Sequence, residues 1–243
     1  MVSGSAALPQ TLFRKWEELT RHRLLERYGT TEAGFIFSNP YPGPRLPGHV
    51  GQQLPGVETR LVDPATERAV GAGMEGEVRV RGPQVFGRYH GRPEATREAF
   101  DAEGWFRTGD WAVYDLEAGA HRILGRMSAD IIKSGGYKIS ALEIEGAIQE
   151  ALPRVAEAAV VGRPHAKWGE EIVAVVRLAE GSERLTLPEL QAAVAARLAP
   201  YKVPRDVVVV DALPKNAMGK VNKKTLFQKM ADLGLVAAPT AVQ

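Results

Sequence analysis

The chain has 243 residues, 44% of them hydrophobic and 25% charged, a composition that suits one large or two modest globular domains and excludes disorder as the main state. Its 31 basic and 29 acidic residues leave a formal net charge of +2, too balanced for a surface addressed as a whole to nucleic acid or anionic lipid. The absence of cysteine excludes a disulfide framework, a thiolate metal site and a thiol nucleophile, and no apolar run reaches the roughly 18 residues of a membrane-spanning helix.

In chain order, Val2-Ser-Gly-Ser-Ala-Ala-Leu-Pro9 reads as a strand running into a turn. Leu8, Leu12, Trp16 and Leu19 recur at helical spacing and predict an amphipathic helix over 9–21. The density of Pro and Gly over 38–56 excludes long regular elements, whereas 57–62 and 77–81 alternate apolar and polar residues as half-buried strands do. A helix over 93–100 and strands at 111–114 and 121–124 complete this strand-rich half. Beyond Arg126 the texture changes. Ser140-Ala-Leu-Glu143 and Thr186-Leu-Pro-Glu189 are capping-box patterns that open amphipathic helices. The stretches 155–161, 171–178 and 206–210 are rich in β-branched residues, and Asn222 caps a final helix that reaches Asp232. Strands alternating with helices predict a compact α+β domain over about 128–235, followed by a tail.

Three constellations carry possible chemistry. Tyr28-Gly-Thr-Thr-Glu32 crowds an aromatic face, two hydroxyls and a carboxylate into an expected turn; Tyr28 could stack on a base, Thr31 donate to phosphate, and Glu32 offer a hard oxygen to Mg2+. Turns are commonly built from such residues, so this pattern alone is weak. Gly104-Trp-Phe-Arg-Thr-Gly-Asp110 puts Asp110 after a glycine at a strand edge, either as acceptor for a ribose diol or as a turn cap. Gly125-Arg-Met-Ser-Ala-Asp-Ile-Ile-Lys-Ser-Gly-Gly-Tyr-Lys-Ile-Ser140 offers the donor fork of Arg126, and Gly135 and Gly136 admit a ligand close to the backbone. Neither a dinucleotide fingerprint, a P-loop nor a serine elbow is present. The five histidines are scattered, without metal-site spacing. Residues 212–231 hold five lysines and no acid before Asp232, which reads as a nucleic-acid patch, a solvated helix face or a loop aimed at phosphate.

Taken in this order, these segments resemble the adenylate-forming acyl-CoA synthetases, and residues 1–9, 25–32 and 45–48 look closest to the malonyl-CoA synthetases within them. The resemblance covers most of the chain. It implies an α/β and α+β fold: a strand-rich remnant of the large AMP-binding domain over 1–126, a mobile C-terminal lid over 127–235, and a tail at 236–243. It implies an acid–CoA ligase that uses ATP, Mg2+ and coenzyme A, takes malonate or methylmalonate, and serves fatty-acid metabolism.

The same resemblance assigns roles residue by residue. Lys220 would be the catalytic lysine of adenylation, with Lys223 and Lys224 solvated at the start of a helix. Gly4, Ser5, Ala6, Tyr28, Thr31, Asp110 and Arg126 would bind the nucleotide, Glu32 the Mg2+, and Gly135 and Gly136 would border the coenzyme A tunnel. Arg45 would pair with the second carboxylate of the acid, the alternative being a loop arginine paired with a surface acid. Ser128 stands at the hinge, where the family usually has Asp or Lys.

The family's Ser/Thr/Gly-rich phosphate loop lies upstream of the segment resembled here. The expectations are therefore poor activity from these 243 residues alone, or a non-catalytic product that binds nucleotide weakly or associates with other chains through uncovered apolar surface on 2–25. The full-length relative is expected in mitochondria; no targeting peptide is read at the start of this chain, which leaves the cytoplasm open. Nucleic acid is not an expected partner, and neither is a membrane span.

Overall fold

The structure, a computed structural model, describes residues 1–217 and 219–232. The end of the expected lid at 235 and the tail at 236–243 lie outside the described residues. The chain divides into two compact units, Met1–Met127 and Ser128–Gln243.

In the first unit, strand β1 (Val2–Ser3) leads to helix α1 (Gln10–Thr20), and the chain returns as β2 (Leu25–Thr30), parallel to β1. β3 (Gly34–Ser38) and β4 (Gln52–Gln53) complete a four-stranded sheet in the order β1-β2-β3-β4. α1 buries Phe13 with Leu8 and Leu24, and Trp16 packs against them. It stops where Arg21 takes a left-handed conformation and donates its amide to Glu17 O. The apolar surface expected over 2–25 is thus partly covered: Val2, Leu12 and Leu19 are exposed, whereas Leu8, Phe13, Leu24 and Leu25 are buried.

A second, antiparallel sheet has the order β6-β5-β7-β8-β9. Its strands are β5 (Glu58–Asp63), β6 (Arg68–Ala69), β7 (Glu75–Arg81), β8 (Phe106–Asp115) and β9 (Ala120–Arg126), with α2 (Pro93–Ala99) before β8. Val57, Leu61, Val78, Val80, Phe106 and Ala112 form a core with Ile36, Phe37 and Val50. On β7 the expected alternation takes an unexpected form, because Arg79, between two buried valines, is itself only 1% exposed. Its guanidinium binds Glu67 at 2.7 and 2.9 Å, Asp101 at 2.9 Å and Glu77 at 3.3 Å. Ion pairs replace the solvent that alternation predicts there.

The second unit runs β10 (Ile131–Ser134), β11 (Tyr137–Ser140), α3 (Ala141–Ala151), β12 (Val155–His165), β13 (Gly169–Leu178), α4 (Leu187–Val194), β14 (Asp206–Val209) and α5 (Lys223–Asp232). The sheet order is β11-β10-β13-β12, with β14 parallel to β13. Alternate residues on β12 and β13 serve opposite faces. Val160, Ile172, Ala174 and Val176 pack with Ile144 and Ile148 of α3 and Leu190 of α4, while Ala159, Val161, Val173 and Val175 meet Leu226 and Met230 of α5.

The capping patterns are realised to different degrees. At α4, the Thr186 amide and hydroxyl both donate to Glu189. At α3, Ser140 Oγ accepts the Glu143 amide at 3.2 Å, but the Glu143 carboxylate pairs with Lys202 at 2.6 Å instead of returning to the cap. A nearby ammonium outcompetes a backbone amide for that carboxylate.

Candidate active site

β1 and β2 are parallel, and residues 4–6 and 28–32 follow or occupy their carboxyl ends, the edge where open α/β sheets place ligands. Gly4 lies against Arg27: a Cβ there would stand 3.1 Å from Arg27 O. Ser5 and Ala6 are exposed, with Ser5 at a positive φ of 70°. Tyr28 sits on β2 and not in the turn expected for it, which begins only after Thr30. Gly29 explains how the strand can continue there, since a Cβ would fall 2.1 Å from Gly34 O on β3.

Asp110 likewise departs from expectation. It lies within β8 rather than at its edge, directly opposite Arg126 on β9. Although Asp110 is buried, its carboxylate is well provided with donors. The Tyr28 hydroxyl donates to Oδ2 at 2.6 Å, Arg126 Nε to Oδ1 at 3.0 Å and Arg126 Nη2 to Oδ2 at 3.2 Å. Burial, followed by the Asp110 charge, pushes the Tyr28 phenol above its ordinary range and keeps it a donor. Two residues 82 positions apart thus meet, and a cross-strand pair adds the arginine.

Beside this cluster lies an open cleft of about 420 Å³ bounded by Thr30, Glu32, Tyr89, Thr108, Gly109 and Arg126, among others. Glu32 is half-buried, and its Oε1 accepts from the Tyr89 hydroxyl at 3.2 Å. Thr31 is exposed in the turn beside it. Among the described residues no group of three or more His, Asp or Glu side chains could hold a metal. A single carboxylate fits Mg2+, which commonly takes one or two protein carboxylates and keeps water and phosphate oxygens as its other ligands.

Three supporting residues escaped the sequence reading. Thr108 accepts the Asp110 amide and donates to Val78 O, Glu77 accepts the Gly109 amide, and Tyr89 holds Glu32. The glycine-threonine-glycine spacing around Asp110 contained a signal for Thr108; a lone strand glutamate and a loop tyrosine contain none.

Arg45 stands apart from that cluster in its contacts. Its guanidinium donates to Arg23 O at 2.6 Å and Tyr41 O at 3.1 Å, and approaches His22 Nε2 at 3.4 Å. Backbone carbonyls, rather than a surface acid, hold it.

In the second unit, Ser128 is exposed in the turn that follows β9. Gly135 and Gly136, at φ of 58° and 85°, form the two-residue turn between β10 and β11, a conformation that left-handed residues fill best. Lys220 is half-buried in a loop closed on itself: the Asn216 amide donates to Lys220 O, and Asn216 Oδ1 accepts the Lys220 amide. Lys215 pairs with Glu157 at 2.6 Å. Lys224 is exposed, as expected, but Lys223 corrects the reading of a solvated helix start. Its side chain is 11% exposed, and its ammonium lies 2.6 Å from Asp130 and 2.7 Å from Glu145, acids remote in sequence that the fold brings to it.

Residues 1–90 match the AMP-binding enzyme family, and residues 143–220 match the AMP-binding enzyme C-terminal domain. The mitochondrial malonate–CoA ligase ACSF3 of Xenopus laevis is 46% identical, over 93% of this chain and 42% of its own length. The malonate–CoA ligase of Arabidopsis thaliana is 45% identical, over 95% and 38% respectively. Among solved structures, ATP-bound MatB from Rhodopseudomonas palustris aligns with a TM-score of 0.87 at 42% identity, covering 96% of this chain and 45% of that one. The chain therefore spans less than half the length of the relatives it matches. With both units matched and identity sustained across nearly all its residues, the chain belongs to the AMP-binding enzyme family, alongside these acid–CoA ligases.

Proposed function

We propose that the chain forms part of an acid–CoA ligase that joins a carboxylate to the α-phosphate of ATP, releasing pyrophosphate, and then transfers the acyl group to coenzyme A, releasing AMP. The observation that carries this reading is the cluster of Tyr28, Asp110 and Arg126 at the carboxyl end of β2. Such a cluster combines an aromatic face for adenine with a charge-bearing grip on ribose hydroxyls. Gly4, Ser5 and Ala6 line the adenine and acyl side, and Thr31 donates to the α-phosphate. Mg2+ brought with the nucleotide would take Glu32 as one oxygen ligand and neutralise phosphate charge.

Lys220 answers the main electrostatic problem of the first step. Attack of one anion on another builds negative charge at the α-phosphorus, and a preorganised ammonium lowers that barrier. In the second step, Gly135 and Gly136 border the pantetheine arm, and Ser128 is the point about which the chain turns between the two tasks.

For the acid we infer malonate or methylmalonate. Relatives named malonate–CoA ligase support this choice, as does the bidentate chemistry of Arg45. Taking a carboxylate would require its guanidinium to exchange the carbonyls of Arg23 and Tyr41 for charged oxygens. The product assigns the full-length protein to fatty-acid metabolism, and its animal relatives make mitochondria the compartment of this reading.

Calorimetric titration with AMP tests the nucleotide site, and acid-dependent pyrophosphate exchange tests the chemistry. Measured on the longer ligase of which the chain would form part, malonate should support exchange better than acetate, and Lys220→Ala should lower it by roughly a hundredfold or more; these 243 residues alone should exchange poorly. Absence of AMP binding, or exchange indifferent to Lys220, would overturn the reading.

A further inference from the structure

Lys223 is the first residue of α5, only three positions beyond Lys220. A cation there sits at the positive end of the helix dipole, where anions are favoured, and burying an ammonium requires partners that offset lost hydration. Local rules disfavour it on both counts. The fold nonetheless encloses Lys223 between Asp130 and Glu145, whose side chains are only 18% and 15% exposed. Burial opposes the lysine's charge, but the two carboxylates outweigh it and move its pKa upward. Glu145 is itself fixed, with Oε1 accepting the Val160 amide at 2.8 Å. Departures from local consistency of this kind concentrate at functional sites.

The three partners come from three segments: the turn two residues beyond Ser128, helix α3 and the start of α5. Between Lys215 and Lys223 the chain forms a loop with pinned feet. Lys215 is tied to Glu157 at one end and Lys223 to Asp130 and Glu145 at the other. The Asn222 amide donates to Pro214 O, and the Gly219 amide to Asn216 O, closing the interior. Lys220 lies half-buried in this frame, held through its backbone by Asn216, and among the described residues its ammonium makes no ion pair.

We propose that Lys223 is a positioning residue for Lys220: its pairing with Asp130 and Glu145 fixes the lysine loop to the segment that follows the hinge. Lys220 is then presented by a rigid frame instead of a frayed helix start. The functional half of this inference rests on the role proposed above for Lys220; the structural half does not.

The test uses the full chain with Lys223→Met, Lys223→Arg and, as a control, Leu190→Ala in the core of the same unit. Hydrogen exchange of the Asn216, Gly219 and Lys220 amides, followed by NMR, reports the frame without any reaction. Lys223→Met should expose these amides roughly tenfold or more, and, in the longer ligase of the reading above, lower the rate of acid-dependent pyrophosphate exchange by about ten- to a hundredfold with little change in the KM for ATP. Lys223→Arg should rescue both. Leu190→Ala should reduce thermal stability while leaving the protection of this loop, relative to its unit, unchanged. Should Lys223→Met fail to fold, Glu145→Gln, which keeps shape while removing one charge, takes its place. Loop protection within twofold of wild type in the methionine variant, or an equal loss in Leu190→Ala, overturns the proposal. A wild-type chain whose exchange activity ignores Lys220 refutes the functional reading alone, because the amide measurement still decides the frame.

Discussion

At the scale of single residues, Asp110 concentrates the information. Its buried carboxylate holds the Tyr28 hydroxyl and the Arg126 guanidinium together, so Asp110→Ala removes one ligand group and releases two others. Charge-assisted hydrogen bonds are worth about 1.5–3 kcal/mol, so AMP affinity measured by titration calorimetry should fall by roughly ten- to a hundredfold. An unchanged dissociation constant would remove the ribose from this site. Glu26 raises a different question. It is 4% exposed, accepts the Leu8 amide through Oε1, and has no hydrogen-bond partner for Oε2 among the described residues. Burial first of all lifts its pKa from 4.5 to about 7. The folded chain thus binds this proton more tightly than the unfolded chain, so the contribution to stability is complete below pH 4.5 and is lost as pH rises to about 7. Glu26→Gln keeps the neutral form at every pH. Denaturation curves should place it near wild type at pH 4 and up to roughly 3 kcal/mol more stable at pH 8; identical pH profiles would show that Glu26 is ionised in the fold. The members of the Tyr28–Asp110–Arg126 cluster were legible as candidates because glycine, aromatic and carboxylate recur in short motifs. The partners of Lys223 were not, since Asp130 and Glu145 lie far from it in sequence and only the packed unit brings them together.

At the scale of elements, alternation and capping signals located most helices and strands, and their failures have physical causes. Tyr28-Gly-Thr-Thr-Glu32 looks like a turn by composition, but Gly29 is needed for the close approach of β3, and the strand runs through it. β7 shows the opposite case. Its alternate positions suggested a wet face, yet Arg79 is covered by three acids, while Arg81, two residues on, pairs with Glu58 at the surface. The two arginines should therefore respond very differently to removal. Arg79→Met leaves Glu77 and Asp101 buried without this cation, a change that typically costs about 3–5 kcal/mol. Arg81→Ala breaks a pair whose side chains are 47% and 56% exposed, where water and salt screen the charges, and should leave stability nearly unchanged. Urea unfolding of both variants measures the contrast, and comparable losses would mean that the Arg79 network is solvated in solution.

At the scale of the whole molecule, each buried cluster belongs to a single unit: residues 8–112 supply the cores of the first and residues 132–230 those of the second. The residues proposed to bind nucleotide, from Gly4 to Arg126, all belong to the first, and Lys220 to the second. Two cores of this kind should melt as two calorimetric transitions, and each can be addressed by its own perturbation. Ile148 is fully buried against the sheet of the second unit, so Ile148→Ala should destabilise one transition by about 2–5 kcal/mol and leave the other in place. AMP should do the reverse. Binding only the folded first unit, at a hundred times its dissociation constant, it should stabilise that unit by about 2.7 kcal/mol without moving the transition that Ile148→Ala lowers. If AMP and Ile148→Ala act on the same transition, the nucleotide contacts extend beyond the first unit or the two cores unfold as one; applying AMP to Asp110→Ala separates these cases, because a shift carried by the cluster should shrink to about 0.4–1.4 kcal/mol at the same AMP concentration, whereas an undiminished shift cannot originate there.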